Sequence, residues 1–310
     1  MKIFKSIAHT YNKLSNFGKI LMFTVLFLLV VIFFKNVMLL RAKEGFSQIE
    51  KFTFRENNDV YDDFYSSIYD HLVFNSMKNE YECGIIVKST KPNASSQIAD
   101  IGCGTGHHVA RFSENNLNII GVDISPSMIK QAKENYPNYN FKVGDALDSS
   151  TFNYNSLTHI LCLYFTIYYF KDKRQFFDNC MDWLMPGGHL IIHLVDRETF
   201  DPILPPGNPL YIVSPQKYAK ERITKTKINF NDFVYNSNFN FDKNTDIATF
   251  DEKFKFNDGR IRSQQQKLYM EDTSAIINSA QDCGFIIQGK IDLVKCAYEN
   301  QYLYILMKPS

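Results

Sequence analysis

Residues 98–110 read IADIGCGTGHHVA, and the fold turns on how this stretch is read. Ile98, Ala99 and Ile101 form a short apolar run that predicts a buried strand. The run breaks into Gly102, Gly104 and Gly106 at alternate positions, just before a helical pattern begins. That order is strand, tight loop, helix N-terminus. Glycine suits a loop where the backbone turns sharply and a ligand must come closer than a Cβ allows, while the N–H groups of the first helical turn face that ligand.

Spacing narrows the ligand. A dinucleotide site needs G-x-G-x-x-G, but position 107, where its third glycine belongs, is His107. The triphosphate loop fails as well, because no Lys-Ser or Lys-Thr follows the glycines. What remains is D-x-G-x-G-x-G with Asp100 ahead of the loop, which resembles the first motif of class I S-adenosylmethionine-dependent methyltransferases. Farther along, NIIGVDI (118–124) predicts a second buried strand ending in Asp123, twenty-one residues after Gly102. A carboxylate at that strand end is placed to accept both ribose hydroxyls of an adenosine. A third strand, Phe141–Val143, ends in Gly144-Asp145-Ala146. Leu157–Leu163 predicts a fourth strand, and Pro186-Gly187-Gly188 then leads into HLIIHLV as a fifth.

The resemblance covers Val60 to Val195. It implies a doubly wound, mostly parallel seven-stranded Rossmann-like sheet with S-adenosyl-L-methionine as cofactor. By resemblance the cofactor site comprises Asp100, Gly102, Gly104, Gly106, Asp123, Ile124, Asp145, Ala146, Cys162 and Leu163, with Asp145 and Ala146 on the adenine. Residues 60–77 place Tyr61, Phe64, Tyr65, Ile68, Leu72 and Val73 at helical spacing. These form either an aromatic stripe packed on the core or a lid over the methionine end of the cofactor.

Residues 196–265 extend the pattern with alternating runs around the turn Asn257-Asp258-Gly259, which predicts an antiparallel insert over the site. The methyltransferase domain is expected over 60–310. Ahead of it lie a basic segment (1–19), a transmembrane helix (20–40) and a linker (41–59). Ile20–Phe34 is free of charge, and twenty-one residues at about 1.5 Å each cross a bilayer core of about 30 Å. Lysines flank both ends, so orientation is weakly set; the chain is read as single-pass with a cytosolic catalytic domain, on the grounds of cofactor supply and six cysteines without a C-x-x-C pair.

A net charge of +1 gives no indication of a nucleic-acid partner, and no metal site is indicated. His189 and His193 share a strand face but stand about 13 Å apart, too far to hold one ion. No N/D-P-P-Y follows the fourth strand; Leu163-Tyr164-Phe165 stands there instead. A small molecule or amine is therefore the expected acceptor, with Tyr164 and His193 as candidates to orient it or take its proton, and Tyr61 and Tyr65 next. The alternatives are a catalytically silent cofactor-binding scaffold and a protein or nucleic-acid methyltransferase.

Overall fold

The computed structural model describes residues 15–41, 52–207 and 215–310, and its contacts divide the chain into two units, residues 1–50 and 51–310. In the first unit, α1 (Asn16–Arg41) is one continuous helix of 26 residues. The Ser15 hydroxyl accepts from Gly18 N at 3.2 Å near its start. Its window Asn16–Phe33 has no buried residue and is long and apolar enough to cross a membrane. The expected span, 20–40, is helical throughout. The expected basic segment lies outside the described residues except for its last five positions.

The second unit carries, in chain order, β1 (Phe52–Glu56), α2 (Asp63–Val73), α3 (Ser76–Thr90), β2 (Gln97–Ile101), α4 (His107–Glu114), β3 (Asn118–Asp123), α5 (Pro126–Asn135), β4 (Asn140–Val143), β5 (Leu157–Cys162), α6 (Lys173–Trp183) and β6 (Leu184–Val195). There follow β7 (Lys225–Asn229), β8 (Phe233–Asp242), β9 (Ile247–Phe256), β10 (Ile261–Tyr269), α7 (Thr273–Asp282), β11 (Ile286–Asp292) and β12 (Gln301–Met307).

Side-chain caps punctuate the helices where the sequence offers them. Asp62 accepts from Tyr65 N, Asn75 from Lys78 N, and Ser125 from Met128 N ahead of Pro126. The Asn75 cap explains why the helix expected to run on through residue 77 instead ends at Val73 and restarts at Ser76.

Seven strands form one sheet in the order β11-β12-β6-β5-β2-β3-β4. It is mixed: β2 to β6 run parallel, and β12 lies antiparallel between β6 and β11. From β2 the chain builds outward through β3 to β4, then crosses to the other side of β2 for β5. The crevice at that switch, beyond the carboxyl ends of β2 and β5, is where such sheets bind ligands. β6 also begins earlier than HLIIHLV implied. Leu184 already pairs with Leu157 and the register slips before His159–His189, so the Pro-Gly-Gly step lies inside a strand.

The insert is a second sheet in the order β1-β10-β9-β8-β7, antiparallel from β10 to β7. Of the linker expected over 41–59, residues 42–51 lie outside the described residues, and 52–59 belong to the domain's regular structure. Phe52–Glu56 adds in parallel to β10, from Phe52 opposite Ile261 to Glu56 opposite Gln265, and Asn57–Val60 is a turn of 3₁₀ helix. The alternation in FTFRE carries the strand signal. The insert packs on α2 through a cluster that includes Val60, Tyr65, Leu72, Phe233, Tyr235 and Phe254, each worth about 1.5–3 kcal/mol of burial. Arg262 clamps the same seam. Its Nη1 donates to both Asp62 carboxylate oxygens at 2.9 and 2.6 Å, and its Nη2 to Val60 O at 2.9 Å.

Candidate active site

The glycine loop closes the end of β2 onto β3. Gly102 N and Cys103 N both donate to Val122 O, at 2.8 and 3.1 Å, so the loop is tied back across the sheet. Gly102, Gly104 and Gly106 have φ of +70°, +52° and +92°, a region that favours glycine. The reasons for glycine differ along the loop. At Gly102 a Cβ would meet Thr166 at 2.5 Å, and at Gly106 the Phe141 ring at 2.7 Å. At Gly104 nothing comes nearer than Tyr69 Cε1 at 3.7 Å, so that position stays open toward a ligand. Gly106 thus packs against Phe141 and Ala132 and is not among the residues lining the cavities described below.

Asp123, at the end of β3, accepts from Gly104 N at 3.0 Å through Oδ2 and from Ser125 N at 2.9 Å through Oδ1. One donor per oxygen leaves acceptor capacity for two further hydroxyls. A cavity of about 940 Å³, its mouth included, is lined by Gly102, Gly104, Asp123, Ile124, Asp145 and Ala146 together with Tyr61, Tyr69 and Tyr169. The ribose and adenine residues expected from sequence thus come together on one wall. Leu163 lines the neighbouring cavity. Cys162, the last residue of β5, does not, being fully buried in the core.

The neighbouring cavity is polar. Asp100 lines it, 1% exposed, with Oδ2 lacking any partner. Burial pushes its pKa up to about 6, with the charges of Asp123 and Glu82 adding and His108 opposing. Across the cavity Lys78 Nζ meets Glu82 Oε1 at 2.6 Å, and His108 Nε2 lies 3.2 Å from Glu82 Oε2. Burial alone would raise the Glu82 carboxyl, but Lys78 and His108 outweigh it and hold it at about 2. Lys78 also stands 5.2 Å from the Tyr164 ring centroid and 5.3 Å from that of Tyr298. The sequence did not single out Lys78, Glu82 or His108. The usable sign was two ionisable residues four apart on a helix that otherwise faces the core.

The third cavity, about 760 Å³ with its mouth, lies between α2, the insert and the segment after β5, and is mostly aromatic. Tyr61, Tyr65, Tyr69 and Tyr169 meet edge to face, at 64–69° and centroid separations of 5.6–6.3 Å. Tyr61 donates to Gln266 Oε1 at 2.9 Å and lies 2.7 Å from the Tyr169 hydroxyl, which also bonds Gln266. Tyr65 and Tyr235 donate to the buried carboxylate of Glu252 at 2.9 and 2.7 Å, and Gln264 and Gln266 donate to its other oxygen.

Of the two catalytic candidates, Tyr164 lines this cavity and the polar one, with φ of +54°. Burial raises its phenol far above the ordinary value, so the hydroxyl stays neutral. His193 lines neither cavity. It is wholly buried; Nδ1 donates to the Tyr164 carbonyl and Nε2 lies 3.0 Å from the Gln301 amide. Burial, then the Lys78 charge, lowers its pKa to about 4. It holds the Tyr164 backbone from within the core.

Residues 98–188 match a family model described as a methyltransferase domain. The chain is 30% identical over 148 residues to a dTDP-4-amino-2,3,4,6-tetradeoxy-D-glucose N,N-dimethyltransferase of Saccharopolyspora spinosa, covering 45% of this chain and 58% of that protein. It is 32% identical over 108 residues to a putative methyltransferase of Invertebrate iridescent virus 6, covering 34% and 40%. The chain spans about half the length of the curated relatives it matches. An amino pentose methyltransferase of Micromonospora echinaspora, solved with S-adenosylmethionine bound, shares the fold at TM-score 0.56 and 16% identity, over 80% of this chain and 97% of that one. Over this stretch the chain is thus similar in sequence to methyltransferases, and it shares the fold of one solved with S-adenosylmethionine bound.

The residues of the domain suit that cofactor. Asp123 can offer its carboxylate to a ribose, the open Cβ side of Gly104 leaves room for close approach, and Asp100, one of whose oxygens has no partner, lines the cavity that would take an α-ammonium. Among the described residues no group of three or more His, Cys, Asp or Glu could hold a metal ion.

Proposed function

We propose that this chain is a membrane-tethered S-adenosylmethionine-dependent methyltransferase acting on an amine of a small molecule. One observation carries the reading: three cavities meet at a single side chain. Tyr69 borders the adenosine-sized cavity, the polar cavity of Asp100 and the aromatic cavity alike. Gly102 and Gly104 separate the first two, while Val73 and Tyr164 separate the polar cavity from the aromatic one. A cofactor laid across the first two would present its methyl group to the third. The amino-sugar methyltransferases among its relatives favour nitrogen as the atom methylated.

The cofactor supplies an already activated methyl group, so the protein's part is alignment and exclusion of water. Asp123 fixes the ribose end. Asp100 would offer its carboxylate to the ammonium of the methionine end, in a cavity that Lys78, Glu82 and His108 also line. Tyr164, as a neutral phenol, holds the acceptor by donating a hydrogen bond, and Tyr61, Tyr69 and Tyr169 wall the transfer position from solvent. The catalytic unit is read as cytosolic, with α1 as its tether.

Calorimetry with S-adenosylhomocysteine and NAD on the full-length chain is the direct test. S-adenosylhomocysteine should bind and NAD should not. Asp123→Ala should cost about 1–3 kcal/mol of that binding, since two ribose hydroxyls lose their acceptor. Preference for NAD, or an indifferent Asp123→Ala, would remove the proposal. A labelled-methyl screen of amine metabolites then identifies the acceptor.

A further inference from the structure

Resting on the methyltransferase reading, we infer that the aromatic cavity takes an amine free of any phosphate or nucleotide group and stabilises its methylated ammonium product against the tyrosine faces. The inference begins with the charges of the cavity wall. The described residues that line it include no Lys or Arg, and the single charged residue is Asp201, which accepts from Ile203 N at 2.9 Å and Gln216 Nε2 at 3.0 Å. Residues 208–214, NPLYIVS, contain no cation either. Behind the wall the buried Glu252 carboxyl sits one hydrogen bond behind Tyr65 and Gln266.

Among the described residues two cations stack on rings of this wall; both have partners, while the buried Arg222 Nε has none. Lys78, behind Tyr164 and Tyr298, is paired with Glu82 at 2.6 Å. Arg222 stacks behind Phe200 and Phe239 and donates from its Nη atoms to Arg197 O and Phe200 O. A diphosphate is recognised by charge-assisted donors, Arg above all, and burying one against tyrosine and phenylalanine without them is costly. The dTDP-amino-sugar relatives therefore share the fold of this chain without sharing its acceptor.

The same wall suits a cation. Ring faces attract ammonium groups, most strongly when both are desolvated, and Tyr61, Tyr69 and Tyr169 line both this cavity and the one expected to hold the adenosine. In the transfer, the S–CH3 bond breaks with its electron pair remaining on sulfur, and the amine lone pair forms the N–CH3 bond. Positive charge thus passes from sulfur to nitrogen, and a primary or secondary amine then releases a proton to water. That charge arises beside Tyr69.

The test uses the full-length chain in nonionic detergent, saturated with S-adenosylhomocysteine and titrated calorimetrically with three probes. These are choline, its uncharged isostere 3,3-dimethylbutan-1-ol, and thymidine diphosphate. Choline should bind about tenfold tighter than the alcohol, and thymidine diphosphate should give no heat. Tyr61→Leu should erase most of the preference for choline, whereas Tyr61→Phe, which keeps the ring, should retain it. Thymidine diphosphate binding as tightly as choline, or choline no tighter than the alcohol whether both bind or neither does, would overturn the inference and leave the methyltransferase reading standing. Absence of S-adenosylhomocysteine binding would bring down that reading and this inference with it.

Discussion

Asp100 is the residue whose environment and expected role pull in opposite directions. Its buried, partnerless oxygen costs stability when ionised, and its pKa of about 6 records that. An acid raised in the folded state favours folding while protonated, so its penalty sets in as pH rises from the ordinary carboxylate value through 6. A ligand ammonium reverses the preference by pairing with the ionised form. The affinity for S-adenosylhomocysteine should therefore climb as pH rises from about 5 to about 6 and level off above that, with proton release accompanying binding on the rising limb. Asp100→Asn should bind more weakly at pH 7 and lose the climb. A variant that kept the wild-type pH profile would assign the dependence to another group. Asp123, by contrast, has a backbone donor on each oxygen, so its contribution concerns geometry more than charge.

At the scale of elements, the parts that the sequence made legible are those with a local cause. The glycine loop, the acids at the ends of β2 and β3, and the Ser125-Pro126 cap each follow from backbone conformation over a few residues. Partnerships between distant segments were not legible. Nothing near His193 reveals that Gln301 on β12 occupies its second nitrogen, and nothing near FTFRE reveals that β10 is its partner. The Lys78–Glu82 pair of α3 belongs to the same class, because only packing of α3 against α4 buries it and brings His108 within reach. Breaking a buried pair leaves an uncompensated charge, so Lys78→Met should lower stability at pH 7 by about 3 kcal/mol, measured by denaturant unfolding. The double replacement with Glu82→Leu should recover much of the loss. Glu82 is depressed to about 2 in the fold, so its contribution is complete above the ordinary carboxylate range and fades as pH falls from there through 2. In Lys78→Met that acid limb should shrink. A single variant as stable as the double would mean that the pair contributes nothing.

For the whole molecule, the question is why a domain with a soluble core should carry α1. The domain hides its apolar residues in three clusters around the sheet and the insert, as a soluble protein does. In α1 every apolar side chain described from Phe17 to Phe33 is exposed, without a polar stripe to face water. A helix of that kind needs lipid or a partner surface, since about 25 cal/mol per Å² of exposed apolar area would otherwise drive aggregation. Lipid is the simpler answer, because length and composition already match a single crossing. The full-length chain should then sediment with membranes and resist carbonate extraction. A chain beginning at Lys51 should stay soluble and unfold cooperatively, with unchanged S-adenosylhomocysteine affinity, because every residue lining the three cavities lies at or beyond Asn58. The sequon Asn93-Ala94-Ser95, in the loop before β2, reports the side of the membrane: its glycosylation would put the domain in a lumen, and its absence in a glycosylating host fits the cytosol. Recovery of the full-length chain in the soluble fraction would rule out the anchor, and α1 would then need a protein surface to cover it.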